Sequence, residues 1–330
     1  MGKNILVLGE IRRGKILNVT YELIGKAKEL AVKKNEKVSV LLLFDSIDKK
    51  PEYLFGFGAD KVICIKNKSL FFFNQEIQIS VISHMIKNIN PEIVLCGATS
   101  SGRTILPAVA GKINTGLTAD CTGLDIEESS GLLLQTRPAI GGNIMATIKT
   151  PNHRPQMATV RPKTFSIPQR IDKSGEIEYI NLDKKFFESK IKNLSFTDLN
   201  SDEKNIQDLD VIVSGGKGLK RAETFKTLYN LAELLNGGVG ASRPTVEAKW
   251  IKYPHQVGLS GKVVSPKLYF AIGISGAVQH LAGMQTSEFI VAINKDPDCP
   301  IFKVCDIGFV GDLFQVLPKL ITAIKEKKRF

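Results

Sequence analysis

The first half of the chain alternates continuous apolar runs with segments whose apolar residues recur at helical spacing. Helices are predicted over residues 20–34 and 73–88, where the apolar side chains fall on one face. The runs between them contain almost no polar residues, which is typical of parallel strands covered on both faces. Strands are predicted on these runs at Ile5–Gly9, Val38–Phe44, Lys61–Ile65 and Glu92–Cys96. This alternation favours an open parallel sheet with helices on its faces.

The pattern changes between residues 132 and 160, where short apolar runs are separated by Pro, Gly and Asn. The runs Leu132–Thr136, Asn143–Ile148 and Met157–Arg161 predict antiparallel strands at the edge of the first domain. Residues 163–206 follow, and they are rich in Lys, Asp, Glu, Ser and Asn. Because this segment has little periodicity, it is predicted to be a linker.

The second half repeats the alternation of strand and helix patterns. The domain boundary is therefore placed near residue 200, with an N-terminal α/β domain over residues 1–200 and a C-terminal domain over residues 201–330. The predicted fold class is α/β, with two doubly wound parallel-sheet, Rossmann-like domains. In the second domain strands are predicted at Asp210–Ser214, Leu268–Ile272 and Phe289–Ile293, and helices at Glu223–Asn236, Gly276–Met284 and Gly311–Lys325.

Composition is that of an ordinary globular protein. The 330 residues are 43% hydrophobic and 24% charged, and every apolar stretch is far shorter than the roughly 18 residues of a membrane span. The 45 Lys and Arg residues exceed the 33 Asp and Glu residues, which gives a net charge of +12. Because the basic residues are scattered and lack a nucleic-acid motif, a solvated surface is favoured. A basic face for an acidic protein partner is the second interpretation.

The five cysteines are odd in number and none has CxxC spacing. Cys64 and Cys96 each end an apolar run, where cysteine usually serves as a small hydrophobic residue. Together with an N-terminus that lacks a signal-peptide pattern, this usage predicts a reducing, cytoplasmic location. No metal site is predicted, because the four histidines are far apart in the sequence.

Gly-rich turns in the second half are the strongest chemical signal. The dinucleotide fingerprint G-x-G-x-x-G is absent, because Arg221 stands where a third glycine would follow Gly216 and Gly218. In a parallel sheet, however, turns that follow strands gather at the edge where ligands bind. One such turn joins a strand to a helix, a position that suits phosphate. Any single turn is well explained as an ordinary connection, but four in one domain favour a ligand site. They are Ser214–Gly218, Gly238–Arg243, Gly258–Lys262 and Gly273–Gly276.

Two further features have competing explanations. His280 lies among small residues of a predicted helix, where an unsatisfied imidazole would be costly, and this favours a ligand over a purely structural role. The turn Gly97–Arg103 is either a second nucleotide site or an interface or structural turn. The sequence carries no convincing Ser-His-Asp, Cys-His or paired-carboxylate arrangement, which argues against a stand-alone enzyme.

Long motifs in both halves closely resemble the alpha subunit of electron-transfer flavoproteins. The resemblance covers nearly the whole chain apart from the linker, and the block Ile274–Met284 is highly specific. It implies a heterodimer with a beta subunit and one FAD held mainly by the second domain. It also favours a structural role for Gly97–Arg103, because the second nucleotide of this family belongs to the beta subunit. The motifs are Thr115–Cys121, Gln135–Ala139, Arg154–Pro162, Gly240–Arg243, Gln256–Gly258, Leu268–Met284, Ala292–Asp296 and Asp306–Leu313.

The resemblance implies a redox electron carrier. Its FAD would accept electrons from an acyl-CoA dehydrogenase or another dehydrogenase and pass them to a quinone reductase, a ferredoxin or a similar acceptor. Some members of the family instead use NADH and bifurcate electrons with a second flavin in the beta subunit. This chain is therefore predicted to be a carrier subunit. Half of a bifurcating NADH-dependent oxidoreductase and a nucleotide-binding regulatory module are the alternatives.

Motif position also implies roles for individual residues. Arg243 would lie against the isoalloxazine and His280 against its N1 and C2-carbonyl edge, both stabilising negative charge on the reduced flavin. Ser260 would hydrogen-bond the flavin N5. Ser242 and the Ser275 turn would contact the phosphate and ribityl groups. The adenosine end would be held by Asn294 and Asp312. The complete implied cofactor-binding set is Lys217, Ser242, Arg243, Gln256, Val257, Gly258, Leu259, Ser260, Gly273, Ser275, Gly276, Ala277, Val278, Gln279, His280, Asn294 and Asp312.

Three of these positions depart from the family pattern. Lys217 stands where many members have Arg, so the charge is kept and the bidentate fork is lost. Leu259 and Ser260 replace the commoner Gln-Thr pair. The hydroxyl is retained there, but the lost Gln changes the local polarity and hence the expected flavin potential.

Overall fold

The apolar runs form the inner strands of two parallel sheets in the computed structural model, which describes residues 4–139, 144–196 and 205–327. The chain divides into two units, Met1–Thr197 and Asp198–Phe330. The boundary predicted near residue 200 lies outside the described ranges and stays a prediction. Each sheet has a buried apolar cluster on both of its faces.

The first unit combines a parallel sheet with a smaller antiparallel one. Its strands are β1 (Ile5–Gly9), β2 (Ile11–Arg12), β3 (Lys15–Ile16), β4 (Val38–Phe44), β5 (Lys61–Lys66), β6 (Ile93–Gly97), β7 (Leu117–Cys121), β8 (Gly123–Ile126), β9 (Leu133–Pro138), β10 (Met145–Ile148), β11 (Gln156–Val160) and β12 (Glu176–Tyr179). Its α-helices are α1 (Asn18–Lys34), α2 (Gln75–Ile89) and α3 (Ser100–Ile113). The seven-stranded sheet has the order β12-β5-β4-β1-β6-β11-β7, with every pairing parallel. Strands β10, β9 and β8 pair antiparallel.

Both faces of the seven-stranded sheet are covered, as the continuous apolar runs predict. Ile5 of β1 lies in the cluster with the apolar face of α1, and the next residue, Leu6, lies in the cluster with α2 and α3. The three helices end alike, because Asn35, Asn90 and Asn114 adopt the left-handed conformation with φ of 53°, 48° and 57°. Asparagine tolerates that conformation better than most residues, so these positions stop the helices.

Two expectations for the end of this unit were wrong. Residues 157–161 were expected in an antiparallel edge strand, but β11 is parallel and lies between β6 and β7. The reason is burial, since every residue of β11 is buried. The segment from residue 163 is also more than a linker, because β12 extends the sheet beside β5 and Phe186 packs against the apolar cluster. The antiparallel pairing of β9 and β10 is confirmed; Asn143 lies outside the described residues.

The second unit has one parallel sheet. Its strands are β13 (Val211–Gly215), β14 (Gly238–Ala241), β15 (Leu268–Ile272), β16 (Ile290–Asn294) and β17 (Ile307–Val310). Its α-helices are α4 (Phe225–Leu234), α5 (Arg243–Glu247), α6 (Val278–Leu281) and α7 (Leu313–Lys327). The order is β14-β13-β15-β16-β17, all parallel, so the chain reverses direction across the sheet between β13 and β15. Helices α4 and α7 cover one face.

Two details of the second unit differ from expectation. Gly238–Ala241 was assigned to a turn but forms β14, because its small residues are buried beside β13. The helix expected over residues 276–284 is reduced to the four residues of α6. Among the described residues, no helix is both long and apolar enough to cross a membrane.

Candidate functional site

The candidate site lies at the carboxyl edge of the second sheet. Parallel strands place the residues that follow them at the same edge, and ligands of open α/β sheets bind where the strand order reverses, here between β13 and β15. The predicted binding residues occupy this edge. Gly216 and Lys217 follow β13, Ser242 and Arg243 follow β14, Gly273 to Gly276 follow β15, Asn294 ends β16, and Asp312 comes two residues after β17.

A run of unpaired backbone amides is the main feature of this edge. Within the described part of the chain, the amide nitrogens of residues 275–279 have no hydrogen-bond acceptor. The run ends at His280, whose amide donates to the Ala277 carbonyl at 2.8 Å. Ser275, Ala277 and Gln279 are exposed. Consecutive free amides on an exposed turn bind anions such as phosphate oxygens.

Glycine makes this turn possible. Gly276 has φ of +87°, and a Cβ at this position would overlap backbone atoms of Ile301 and Pro300. Gly273 has φ of +62° and lies against Gly218, whose amide donates to the Gly273 carbonyl at 3.0 Å. Because side chains would keep these loops apart, glycine is needed at both positions.

A second loop brings residues 256–262 to the same edge. The Val257 amide donates to the Ala241 carbonyl at 2.9 Å, which joins the loop to the end of β14. The Leu259 amide donates to the Gln279 carbonyl at 2.7 Å. Gly258 and Gly283 lie in backbone contact that a Cβ would prevent. The structure therefore brings the predicted residues 256–260 together with those of the amide run.

Two hydrogen bonds within this loop fix the position of Ser260. Gln256 Nε2 donates to Ser260 Oγ at 3.1 Å, and Tyr253 Oη donates to the Ser260 carbonyl at 2.9 Å. Ser260 is thus held through its backbone while its hydroxyl keeps the capacity to donate. Leu259 is 70% exposed, which is unusual for a large apolar side chain and leaves it available to a ligand or partner.

Two cations border the site with different degrees of constraint. Arg243 is largely exposed and its Nε lies 2.7 Å from Glu247 Oε1 one helical turn away. Lys217 Nζ lies 4.4 Å from the centre of the Trp250 ring, a cation–π geometry that holds the ammonium in place.

Ser242 is the buried N-cap residue of α5, and its hydroxyl makes no capping hydrogen bond to the helix. Its hydroxyl is therefore free for a ligand.

His280 is buried, and its Nε2 lies 2.9 Å from Tyr269 Oη. Its Nδ1 is buried with no partner of good geometry among the described residues. Burial lowers the pKa of the imidazole to about 4, and the Val257 backbone acts in the opposite direction. The imidazole is therefore neutral at pH 7. Its predicted contact with the N1 and C2-carbonyl edge of the flavin stays a prediction.

Asn294 and Asp312 have internal partners at the far end of the edge. Asn294 Nδ2 donates to the Ile274 carbonyl at 2.9 Å and so supports the start of the amide run. Asp312 Oδ1 accepts from the Phe314 amide at 3.0 Å, close to the start of α7. Both side chains retain further hydrogen-bonding capacity, so a role at the adenosine end is compatible with these contacts.

Comparison with known proteins identifies the family. The Electron transfer flavoprotein domain matches residues 5–185, and the Electron transfer flavoprotein FAD-binding domain matches residues 205–285. The chain belongs to the electron transfer flavoprotein family.

Similarity to individual members extends over the whole chain. The chain is 48% identical to electron transfer flavoprotein subunit alpha of Thermoanaerobacterium thermosaccharolyticum, covering 99% of both chains. It is 45% identical to electron transfer flavoprotein subunit alpha of Megasphaera elsdenii, over 99% of this chain and 97% of that one. It is also 42% identical to lactate dehydrogenase (NAD(+),ferredoxin) subunit LctC of Acetobacterium woodii, over 98% of this chain and 77% of that one. These matches confirm the predicted resemblance to an electron-transfer flavoprotein alpha subunit.

The cofactor of this electron-transfer flavoprotein subunit is FAD, as its FAD-binding domain establishes. The site fits that group on physical grounds. The free amides of residues 275–279 suit a pyrophosphate, and the glycines at 273 and 276 leave room for its approach. No cluster of His, Cys, Asp and Glu suited to a metal ion occurs among the described residues.

At the corresponding edge of the first unit, a carboxyl group of the protein is bonded to the turn after β6. Thr99 caps α3 by accepting from the Gly102 amide at 3.0 Å, and its hydroxyl donates to Glu10 Oε2 at 2.6 Å. Burial raises the pKa of Glu10 to about 7, against the hydrogen bond from Thr99 and the charge of Arg12. The carboxyl group of Glu10 thus lies beside the turn, whereas the amides of residues 99–101 have no acceptor among the described residues; the structural interpretation of Gly97–Arg103 stays a prediction.

Three residues that contact the predicted site residues or turns were not identified from the sequence. Trp250 holds Lys217, Tyr269 contacts His280, and Glu10 accepts from Thr99 in the turn of the first unit. Only Tyr269 carried a usable signal, because a tyrosine inside a buried parallel strand must find a hydrogen-bond partner. The other two depend on contacts between residues 33 and 89 positions apart, which no local pattern reveals.

Proposed function

We propose that the carboxyl edge of the second sheet holds the FAD of this subunit, with the pyrophosphate on the amides of residues 275–279. The unpaired state of five consecutive amides is the observation that carries this proposal. Such donors would stay unsatisfied or bind water in the absence of an anion, and a phosphate satisfies several at once. Ser242, Ser275 and Gln279 add side-chain donors at the same edge.

The isoalloxazine end is assigned to the loop of residues 256–260 and to Arg243. Bound FAD takes up and releases electrons while the protein supplies orientation and charge. Arg243 supplies positive charge that favours the reduced cofactor, and Ser260 supplies a hydroxyl donor for N5. Lys217 adds a second positive charge held by Trp250. Asn294 and Asp312 are assigned to the adenosine end.

The proposal also assigns a different role to each of the two domains. Residues 1–200 contact the beta subunit of the heterodimer, and residues 201–330 bind FAD. Electrons come from an acyl-CoA dehydrogenase or a related dehydrogenase and leave to a quinone reductase, a ferredoxin or a similar acceptor. The protein is cytoplasmic, which agrees with five cysteines that are all unpaired.

One observation favours a second candidate. The name of the Acetobacterium woodii relative includes NAD(+) and ferredoxin, and that chain is 42% identical to this one. This chain would then be one subunit of a bifurcating complex that uses NADH. The two candidates share the FAD site and differ in the beta subunit and the partners.

The absorption spectrum of the co-purified heterodimer tests both. We expect flavin bands, and we expect them to bleach with an acyl-CoA dehydrogenase and its substrate under anaerobic conditions. Bleaching by NADH alone would favour the bifurcating complex. A heterodimer that stays free of flavin after incubation with FAD would refute the proposed site.

A further inference from the structure

The first unit contains a cavity of about 610 Å³ that plays no part in the proposed FAD site. One wall is the connection between β4 and β5, and the other is the segment that leads into β12. The Ile171 amide donates to the Gly56 carbonyl and the Glu176 amide to the Asp60 carbonyl, both at 3.0 Å. These hydrogen bonds join the two walls, and the volume lies in the range of small-molecule sites.

The lining of this cavity is basic. Glu52 is the one carboxylate among the described residues that line it, against four cations, which are Lys49, Lys50, Arg170 and Lys173. The charge of Lys173 is balanced, because its Nζ lies 2.6 Å from Asp60 Oδ1. The other three cations form no ion pair with any described residue. Since Glu52 offsets one of these charges at most, the cavity keeps a net positive charge.

Two of the unpaired cations are held against the same aromatic ring. Lys49 Nζ lies 4.3 Å and Arg170 Cζ 4.7 Å from the centre of the Tyr53 ring. The Tyr53 ring in turn packs against Tyr21 and Phe57, whose ring centres lie 6.1 and 5.4 Å away. Cation–π contacts hold the two cations without cancelling their charges, and both keep N–H donors for a ligand. Because like charges held close together repel, a bound anion would stabilise this cluster.

Backbone donors and apolar side chains complete the lining. Within the described part of the chain, the amide nitrogens of Ser174 and Gly175 have no acceptor. Gly175 lies directly on the Phe55 ring, where a Cβ would come within 2.5 Å of a ring carbon. Phe55 and Ile177 add apolar surface to the same cavity. Phosphate oxygens accept from guanidinium, ammonium and amide N–H groups, whereas an apolar wall suits a flat ring.

We propose that this cavity binds a nucleoside diphosphate, with its phosphate groups on Lys49, Lys50 and Arg170. Its ring lies against the apolar wall of Phe55 and Ile177. Several unpaired cations match the charge of adjacent phosphate groups, and a guanidinium can bond two phosphate oxygens at once. The concave shape favours a small molecule over the surface of an acidic protein. Every residue of the cavity belongs to the first unit, so the proposal does not depend on the FAD site.

Calorimetric titration of ADP into the FAD-saturated heterodimer tests the proposal. In the double variant Lys49→Ala, Arg170→Ala we expect the dissociation constant of ADP at this cavity to rise at least about ten-fold, because two charge-assisted contacts are lost. Both side chains are exposed, so the variant should fold. Any other nucleotide site of the complex contributes equally to both proteins, so the difference between them reports on this cavity.

The matched control is the double variant Lys87→Ala, Lys112→Ala. It removes the same charge from exposed positions of α2 and α3, which cover the other face of the sheet, and it should leave the dissociation constant unchanged. Equal ADP binding by the wild type and the Lys49→Ala, Arg170→Ala variant would overturn the proposal. So would an equal loss in the control, because net charge alone would then explain the binding. Pyrophosphate should bind more weakly than ADP, and equal affinity would overturn the assignment of the apolar wall to the ring.

Discussion

The carboxyl edges of the two parallel sheets differ in the number of unpaired amides and in the acidic side chains beside them. In the first unit, the carboxyl group of Glu10 accepts from the Thr99 hydroxyl in the turn after β6, and Asp120 lies between Arg103 and Arg161 at 2.7 Å from each. In the second unit, the turn after β15 leaves five consecutive amides without partners. Among the described residues the first turn leaves only the amides of residues 99–101 without acceptors, so similar architecture produces a longer run of open donors in the second unit.

The comparison shows that a Gly-rich turn at a sheet edge does not by itself indicate a ligand site. Both turns follow a buried strand and both contain serine and glycine. The difference lies in the length of the run of free amides and in the carboxyl group of Glu10, which is bonded to Thr99 in the first turn and disfavours a second acidic group beside it. Phosphate binding requires donors that the fold has left unpaired and accessible.

The largest effect is expected at the open edge. Gly276→Ala places a Cβ against the backbone of Ile301 in a left-handed conformation, which should distort the amide run. Strain and overlap together cost about 3 kcal/mol, so the dissociation constant of FAD should rise about a hundred-fold, as measured by flavin fluorescence titration. Gly111→Ala is the matched control, because a Cβ there meets no atom within 4 Å. Equal affinity of the two variants would contradict the assignment of the amide run.

The stability of the first unit should depend on pH through Glu10. Glu10 has a folded-state pKa of about 7 against 4.5 for the free group, so the folded chain binds more protons between these values. The free energy of unfolding of the first unit therefore falls as pH rises from 4.5 to 7 and then levels off. Burial acts on the carboxyl group, but the residue as a whole keeps some contact with solvent, so only part of the pKa shift counts toward stability. We therefore expect Glu10→Gln to exceed the wild type in free energy of unfolding by about 1–2 kcal/mol at pH 8.

At pH 5 the Glu10→Gln and wild-type proteins should have similar stability, since the carboxyl group is then largely protonated. Urea unfolding at both pH values measures the difference. A stability gap that does not change between pH 5 and pH 8 would show that Glu10 does not titrate in this range. The FAD content of the variant should stay that of the wild type, because Glu10 lies in the first unit.

The smallest effect is expected from the exposed charges of the open edge. Arg243→Ala removes a positive charge that is 65% exposed, and the first one-electron potential of the bound flavin should fall by roughly 40 mV, about 1 kcal/mol. Glu247→Gln removes the partner of Arg243 and should raise the potential by a smaller amount. Spectroelectrochemical titration of the heterodimer measures both. Shifts of the same sign, or no shift for Arg243→Ala, would remove Arg243 from the site.

Strand positions were predictable where the pattern is local. β1, β4 and β15 coincide with the predicted Ile5–Gly9, Val38–Phe44 and Leu268–Ile272, because a buried strand needs a continuous apolar run. β11 was misassigned because the direction of a strand depends on its neighbours and leaves no trace in its own residues. β14 was missed because Gly238–Ala241 is as typical of a turn as of a strand packed tightly beside another.

By itself, the sequence determined the alternation of strands and helices, the two-domain α/β architecture and the membership of the electron transfer flavoprotein family. These features depend on short-range periodicity and on long motifs. Only the tertiary structure decided which polar groups remain unsatisfied. Gly276 is fitted against Ile301, Asn294 supports Ile274, and Glu10 meets Thr99 across 89 residues of chain. Hydrogen-bond satisfaction and burial are properties of these distant contacts, so they arise only when the chain is folded.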